Sequence, residues 1–92
     1  MKYTQGKWEV THFEGKTQVF CNRRCIAGNL YDEENEPTLG ELKSNANLIS
    51  AAPDMYEACL AARRTFEAFR IKESDPRYIK LEQAITKAEA NQ

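Results

Sequence analysis

Apolar and polar residues alternate in the first third of the chain and recur at a helical period in the rest. In KWEVTHF (residues 7–13), Trp8, Val10 and His12 oppose Lys7, Glu9, Thr11 and Phe13, the period of two of a half-buried strand. TQVFC at 17–21 alternates again and is rich in β-formers, and CIAG at 25–28 predicts a short third strand. EGK at 14–16, where Gly15 offers a positive φ, and NRR at 22–24 predict tight turns, hence an antiparallel meander. NLYDEENEPT, from residue 29 to 38, is too charged to pack and predicts a loop.

From residue 38 apolar positions return every three or four residues. Leu39, Leu42, Ala46 and Ile49 form one stripe. Met55, Cys59, Ala62, Phe66 and Phe69, flanked by Tyr56 and Leu60, form a second, and Tyr78, Leu81, Ile85 and Ala88 a third. Asp75 followed by Pro76 is a helix start, a capping side chain and then a proline at the first helical position. Inside a helix Pro53 would cost about 3 kcal/mol, whereas at a first turn it costs little. The spacing therefore predicts helices over 38–51 and 53–72 with a corner at Ala51-Ala52, and Asp54 and Glu57 favourably placed in the second one's first turn. Asn45 and Asn47 point about 200° apart on a helix. One is expected to meet solvent or its own backbone, the other the sheet or a neighbouring subunit, and Asn47 is kept as a candidate ligand contact. The predicted fold is α+β: a β-meander of about three strands packed against about three helices, with a break at Pro53.

Ninety-two residues with 41% apolar content fit one globular domain, with the meander at 1–30, an acidic loop at 31–37 and the helical part at 38–92. No run of about 18 apolar residues predicts a membrane span, and MKYTQGKWEV has no apolar leader, so a cytoplasmic protein is expected. Net charge is −1, which disfavours nucleic acid and acidic membranes as partners. The distribution is uneven. Residues 1–30 hold five Lys/Arg against two Glu, while 31–41 hold Asp32, Glu33, Glu34, Glu36 and Glu41.

Chemistry-bearing residues are sparse. Cys21, Cys25 and Cys59 are read as reduced thiols, and Cys21/Cys25 with His12 lack the paired spacing of a zinc site, so no metal or cofactor is expected. His12 is the single histidine and is read as a satisfied structural residue. Nothing orients a Cys–His pair, and phosphate-loop, dinucleotide and zinc-protease motifs are absent, so an enzyme is not expected. Binding fits better. Arg23 and Arg24 in the second turn, with Lys16 in the neighbouring one, offer cationic forks for phosphate, and Trp8, Phe13 and Phe20 offer faces on which a base stacks. Arg63 and Arg64 are read as helix partners of Glu67 or Glu57.

YTQGKWEV and NANLISAAPDMYEAC (45–59) resemble a group of small phage and prophage proteins that open with Thr-x-Gly-x-Trp before a strand and carry an Asn-Ala-x-Leu-Ile-x-Ala-Ala-Pro-x-Leu-Leu-x-Ala helical segment. Thr4, Gly6 and Trp8 match the first part; Asn45, Ala46, Leu48, Ile49, Ala51, Ala52, Pro53 and Ala58 match the second. Met55 and Tyr56 replace a usual leucine pair, and residues 29–44 and the tail from 70 are not covered. The layout is similar to that of Thoeris anti-defence sponges. That resemblance implies an oligomer with an N-terminal sheet and C-terminal helices, sequestering a cyclic ADP-ribose-type or cyclic oligonucleotide signal without cleaving it.

The expectation is therefore a phage anti-defence protein that binds a cyclic nucleotide second messenger through Arg23, Arg24, Trp8, Lys16 and Asn47. The alternative is a small inhibitor that binds a host defence protein through the acidic loop. A homo-oligomer is expected as well, because so small a chain leaves a sheet edge and a helix face open.

Overall fold

The structure is a computed structural model and describes residues 3–14, 16–28, 38–71 and 74–90. Gly15 and the acidic stretch at 31–37 lie outside the described residues. Strands β1 (Glu9–Phe13), β2 (Lys16–Cys21) and β3 (Arg24–Ala27) form an antiparallel sheet in chain order, followed by helices α1 (Leu39–Ala68) and α2 (Pro76–Ala88). The protein is thus α+β, with the meander where alternation predicts it.

Two compact units are present, Lys2–Ala52 and Pro53–Gln92. In the first, Thr17, Val19 and Cys21 on one face of β2 are buried together with Leu42 and Ala46 of α1. Thr17, Val19 and Ala27 of the sheet meet Leu42, Ala46 and Ile49 along a seam whose residual cavity is ≈10 Å³, at the limit for a single water. Val10 and His12 oppose Val19 and Thr17 on that face, and His12 Nδ1 lies 2.8 Å from Thr17 Oγ1, in hydrogen-bond contact. β3 carries a bulge: Val19 pairs with Ala27 and Phe20 with Cys25, leaving Ile26 as the extra residue.

The helix count is two, not about three, because α1 runs unbroken through Pro53. The reason lies in what precedes the proline. Pro53 follows Ala51 and Ala52, the best helix former and among the poorest N-caps. Breaking there would orphan several backbone groups at each new end with no side chain to satisfy them, against the single bond lost by continuing. Pro76 differs because Asp75 caps it, accepting from the Arg77 N–H at 2.9 Å. Helix α1 is capped by Thr38, whose hydroxyl accepts from the Glu41 N–H at 3.1 Å. It ends with Arg70 at φ 54, and the Ile71 N–H closes onto the Phe66 carbonyl at 2.9 Å.

In the second unit the later part of α1 and α2 are tied by side chains. The Tyr56 hydroxyl donates to the Glu89 carboxylate, and Arg63 pairs with Glu82 at 3.4 Å. Phe66 meets Tyr78 with ring centres 6.3 Å apart, and Ile85 is buried. Asp75 also holds the Arg77 guanidinium by two oxygens, at 3.1 and 2.8 Å. No helix among the described residues is long and apolar enough to cross a membrane.

Candidate functional site

The residues singled out for binding do not assemble as one cluster. Arg23 occupies the β2–β3 turn and Arg24 opens β3 opposite Cys21. Lys16 opens β2, at the other end of the strand, about 17 Å from Cys21 at the rise of an extended chain. Lys16 is thus parted from the arginines, as successive turns of a meander must be. Asn47 is exposed on α1, where its carbonyl accepts from the Ser50 hydroxyl at 2.8 Å, and Asn45 borders the seam with the sheet.

Trp8 lies at the arginine end, but its indole is occupied. Nε1 donates to the Thr4 carbonyl at 2.9 Å, and Tyr3 meets the ring edge-on with centres 6.4 Å apart. Gly6, inside the loop so closed, has φ 126, and a β-carbon there would stand 2.8 Å from Cys21 Sγ and 3.2 Å from Asn22 Nδ2. The Cys21 thiol donates to the Gln5 carbonyl at 3.3 Å. Thr4, Gly6 and Trp8 therefore form a device that plugs the end of β2: an acceptor, a residue without a β-carbon and an indole latch.

This loop brings Lys7 to the arginine end. Glu9 pairs with Phe20, so two residues earlier Lys7 comes level with Asn22. Lys7, Arg23 and Arg24 are exposed, and among the described residues neither arginine side chain has a hydrogen-bond or ion-pair partner. Phe20, half-buried, is the aromatic residue of the sheet's open face nearest that end by register. Sequence reasoning missed Lys7 because its neighbours in the fold come from another strand; the hairpin register was the signal that could have found it.

The turn itself is unusual in composition. A two-residue hairpin turn of type I′ needs positive φ at both central positions, which favours Asn and Gly. Asn22 at φ 48 fits, but Arg23 holds φ 72, a left-handed conformation ordinarily left to glycine. Backbone strain on a side chain with no structural partner points to a use for that side chain.

The strongly shifted acids and bases sit in the helical unit and are explained by their bonds. The Glu89 carboxylate beside the Tyr56 hydroxyl pushes the phenol up to about 12. The Arg77 side chain and N–H hold Asp75 down at about 2. Cys21 is buried and Cys25 exposed, and no group of three or more metal-ligating side chains gathers among the described residues.

Across its full length, residues 1–92, the chain matches the family model described as Salmonella phage P22 protein Y8K6. No curated protein and no solved structure matches it.

Proposed function

The chain belongs to the family of Salmonella phage P22 protein Y8K6, and from that premise we propose that it acts by binding, sequestering a cyclic nucleotide immune signal without cleaving it. The observation that carries this reading is Arg23, held at φ 72 beside Arg24 at an exposed hairpin end. Two guanidinium forks, with Lys7 level with the same turn, suit the oxygens of a phosphodiester, and Phe20 supplies an aromatic face for a base. Trp8 lies at the same end with its indole N–H held by the Thr4 carbonyl, and Lys16 and Asn47 lie apart from this arrangement.

The test is calorimetric titration of the protein with a panel of cyclic mono-, di- and trinucleotides and cyclic ADP-ribose, with recovery of the ligand afterwards. One saturable ligand recovered intact is expected, with Arg23→Ala and Arg24→Ala each weakening it about tenfold or more, the worth of a charge-assisted hydrogen bond. Absence of binding across the panel rejects the proposal, and recovery of a hydrolysed ligand would make the protein an enzyme.

Exposed apolar side chains favour a second reading, a small inhibitor that docks on a host defence protein. Leu48 is 64% and Phe69 77% exposed, the kind of residue that anchors protein contacts. Under that reading, a partner captured from host lysate is lost on substitution of Leu48 or Phe69, or of Asp32, Glu33, Glu34 and Glu36, and Arg23→Ala leaves it bound.

A further inference from the structure

We propose that the open face of the sheet is a self-association surface, occupied by a second copy of this chain related by a two-fold axis. Register assigns the side chains of that face. Thr17, Val19 and Cys21 take the buried side of β2, so Lys16 and Phe20 take the other, with their cross-strand partners Phe13 and Glu9. Glu9 and Lys16 are exposed, and Phe13 is 73% exposed, a large apolar ring set in solvent.

The four residues form two unlike ends. Glu9 and Phe20 pair an acid with an aromatic ring; Phe13 and Lys16 pair an aromatic ring with a base. The ends are four residues apart along β1, about 13 Å. A two-fold axis lying between two such faces, perpendicular to the strands, turns each Glu9/Phe20 end onto the partner's Phe13/Lys16 end. The operation lays β1 on β1 and β2 on β2, so Glu9 faces the partner's Phe13 and Phe20 the partner's Lys16, and the two Glu9–Lys16 ion pairs and two Phe20–Phe13 contacts form on the diagonals, one strand spacing aside; this is the self-complementarity that an isologous interface requires. The middle pair, Thr11 and Gln18, falls beside the axis with hydroxyl and amide free to bond across it. An axis parallel to the strands would instead bring like ends together, Glu9 near the partner's Glu9, so charge selects the first arrangement.

Size sets the strength. Three strands of this length present a face of roughly 14 by 17 Å, smaller than a standard interface of about 800 Å² per partner. The dimer is accordingly a dissociable one in the micromolar range. Lys16, which the meander parts from the arginine turn, has its role here, and Phe20 is shared: a base stacked on it beside Arg23 and Arg24 and the partner's face compete for the same ring.

Sedimentation equilibrium of the full chain tests it. The wild type is expected to approach twice the monomer mass with rising micromolar concentration. Glu9→Lys alone and Lys16→Glu alone should each weaken association about tenfold or more, since two attractive pairs per dimer become repulsive. An equimolar mixture of the two variants should recover wild-type association, because each supplies the charge the other lacks. Circular dichroism establishes that both variants are folded, and the mixture shows that neither is merely damaged. A wild type that stays monomeric to roughly millimolar concentration overturns the proposal. So does a dimer indifferent to both substitutions, or a mixture no tighter than either variant alone.

Discussion

Replacing Arg23 with glycine removes a guanidinium and relieves a backbone constraint, and the two effects can be read separately. Arg23 holds φ 72 in the turn that joins Cys21 to Arg24. A left-handed conformation costs a residue with a β-carbon about 1–2 kcal/mol. Glycine gives back roughly 0.5–1 kcal/mol through the greater freedom of the unfolded chain. Because the Arg23 side chain is exposed and has no hydrogen-bond or ion-pair partner among the described residues, no contact is lost with it. The net gain is about 0.75 kcal/mol, within a range of roughly 0–1.5, or about 3–6 °C in Tm at the centre for a chain of this size. Arg70, at φ 54 beyond α1, is the control: Arg70→Gly should give a similar gain by the same cause. Thermal melts followed by circular dichroism measure both, and calorimetry with the bound nucleotide measures function. Both variants should melt higher, and only Arg23→Gly should weaken the ligand. If Arg70→Gly melts higher and Arg23→Gly does not, strain at the hairpin is refuted as the reason for its composition. If Arg23→Gly binds as tightly as wild type, the turn is not the phosphate site.

Pro53→Ala should stabilise by up to about 3 kcal/mol, since the alanine N–H restores a bond to the Ile49 carbonyl within an unbroken helix; urea unfolding measures it, and a loss of stability would point to a bend that needs the proline. Gly6→Ala should destabilise by about 2 kcal/mol or more, because φ 126 and a contact of 2.8 Å to buried Cys21 Sγ leave no room for a methyl group, and a thermal melt reads the loss. Asp75 is held near 2 against 3.8 in the unfolded chain, so its contribution is complete above about 3.8 and fades as pH falls towards 2; melting temperature against pH should drop over that window in the wild type and less in Asp75→Asn. Tyr56 titrates the opposite way: raised from 10.0 to about 12, it contributes fully below 10 and loses its effect as pH rises through 12, and Tyr56→Phe should flatten the alkaline limb of the same profile.

The strands were legible because one face of the sheet is buried: Val10, Thr17, Val19 and Cys21 fall on alternate positions that a period of two detects. The bulge at Ile26 had no such signal, since an extra residue in a four-residue strand changes no pattern a short window can resolve. Pro53 and Pro76 carried the information that distinguishes them in the residue before each, Ala52 and Asp75, so the unbroken helix was readable from capping chemistry and not from the proline itself. At the candidate site Arg23 and Arg24 came together because they are neighbours in the chain. Lys16 was grouped with them although consecutive turns of a meander lie at opposite ends, and Lys7 was passed over although the same rule returns it to theirs. Trp8 was singled out for its ring, while the bond from its indole N–H to the Thr4 carbonyl engages backbone that composition does not reveal.

Pro53 has a consequence for amide hydrogen exchange. It carries no amide of its own, so α1 has a silent position at the boundary between the two compact units. Amides open with the cooperative unit to which they belong, not with the element in which they are drawn. The single helix is therefore expected to exchange as two populations. Residues from Leu42 to Ala52 should be protected to the opening free energy of the sheet, and those from Glu57 to Ala68 to that of the helical pair. Two plateaus on one helix, parted at a proline, would mark this protein as a pair of foldons.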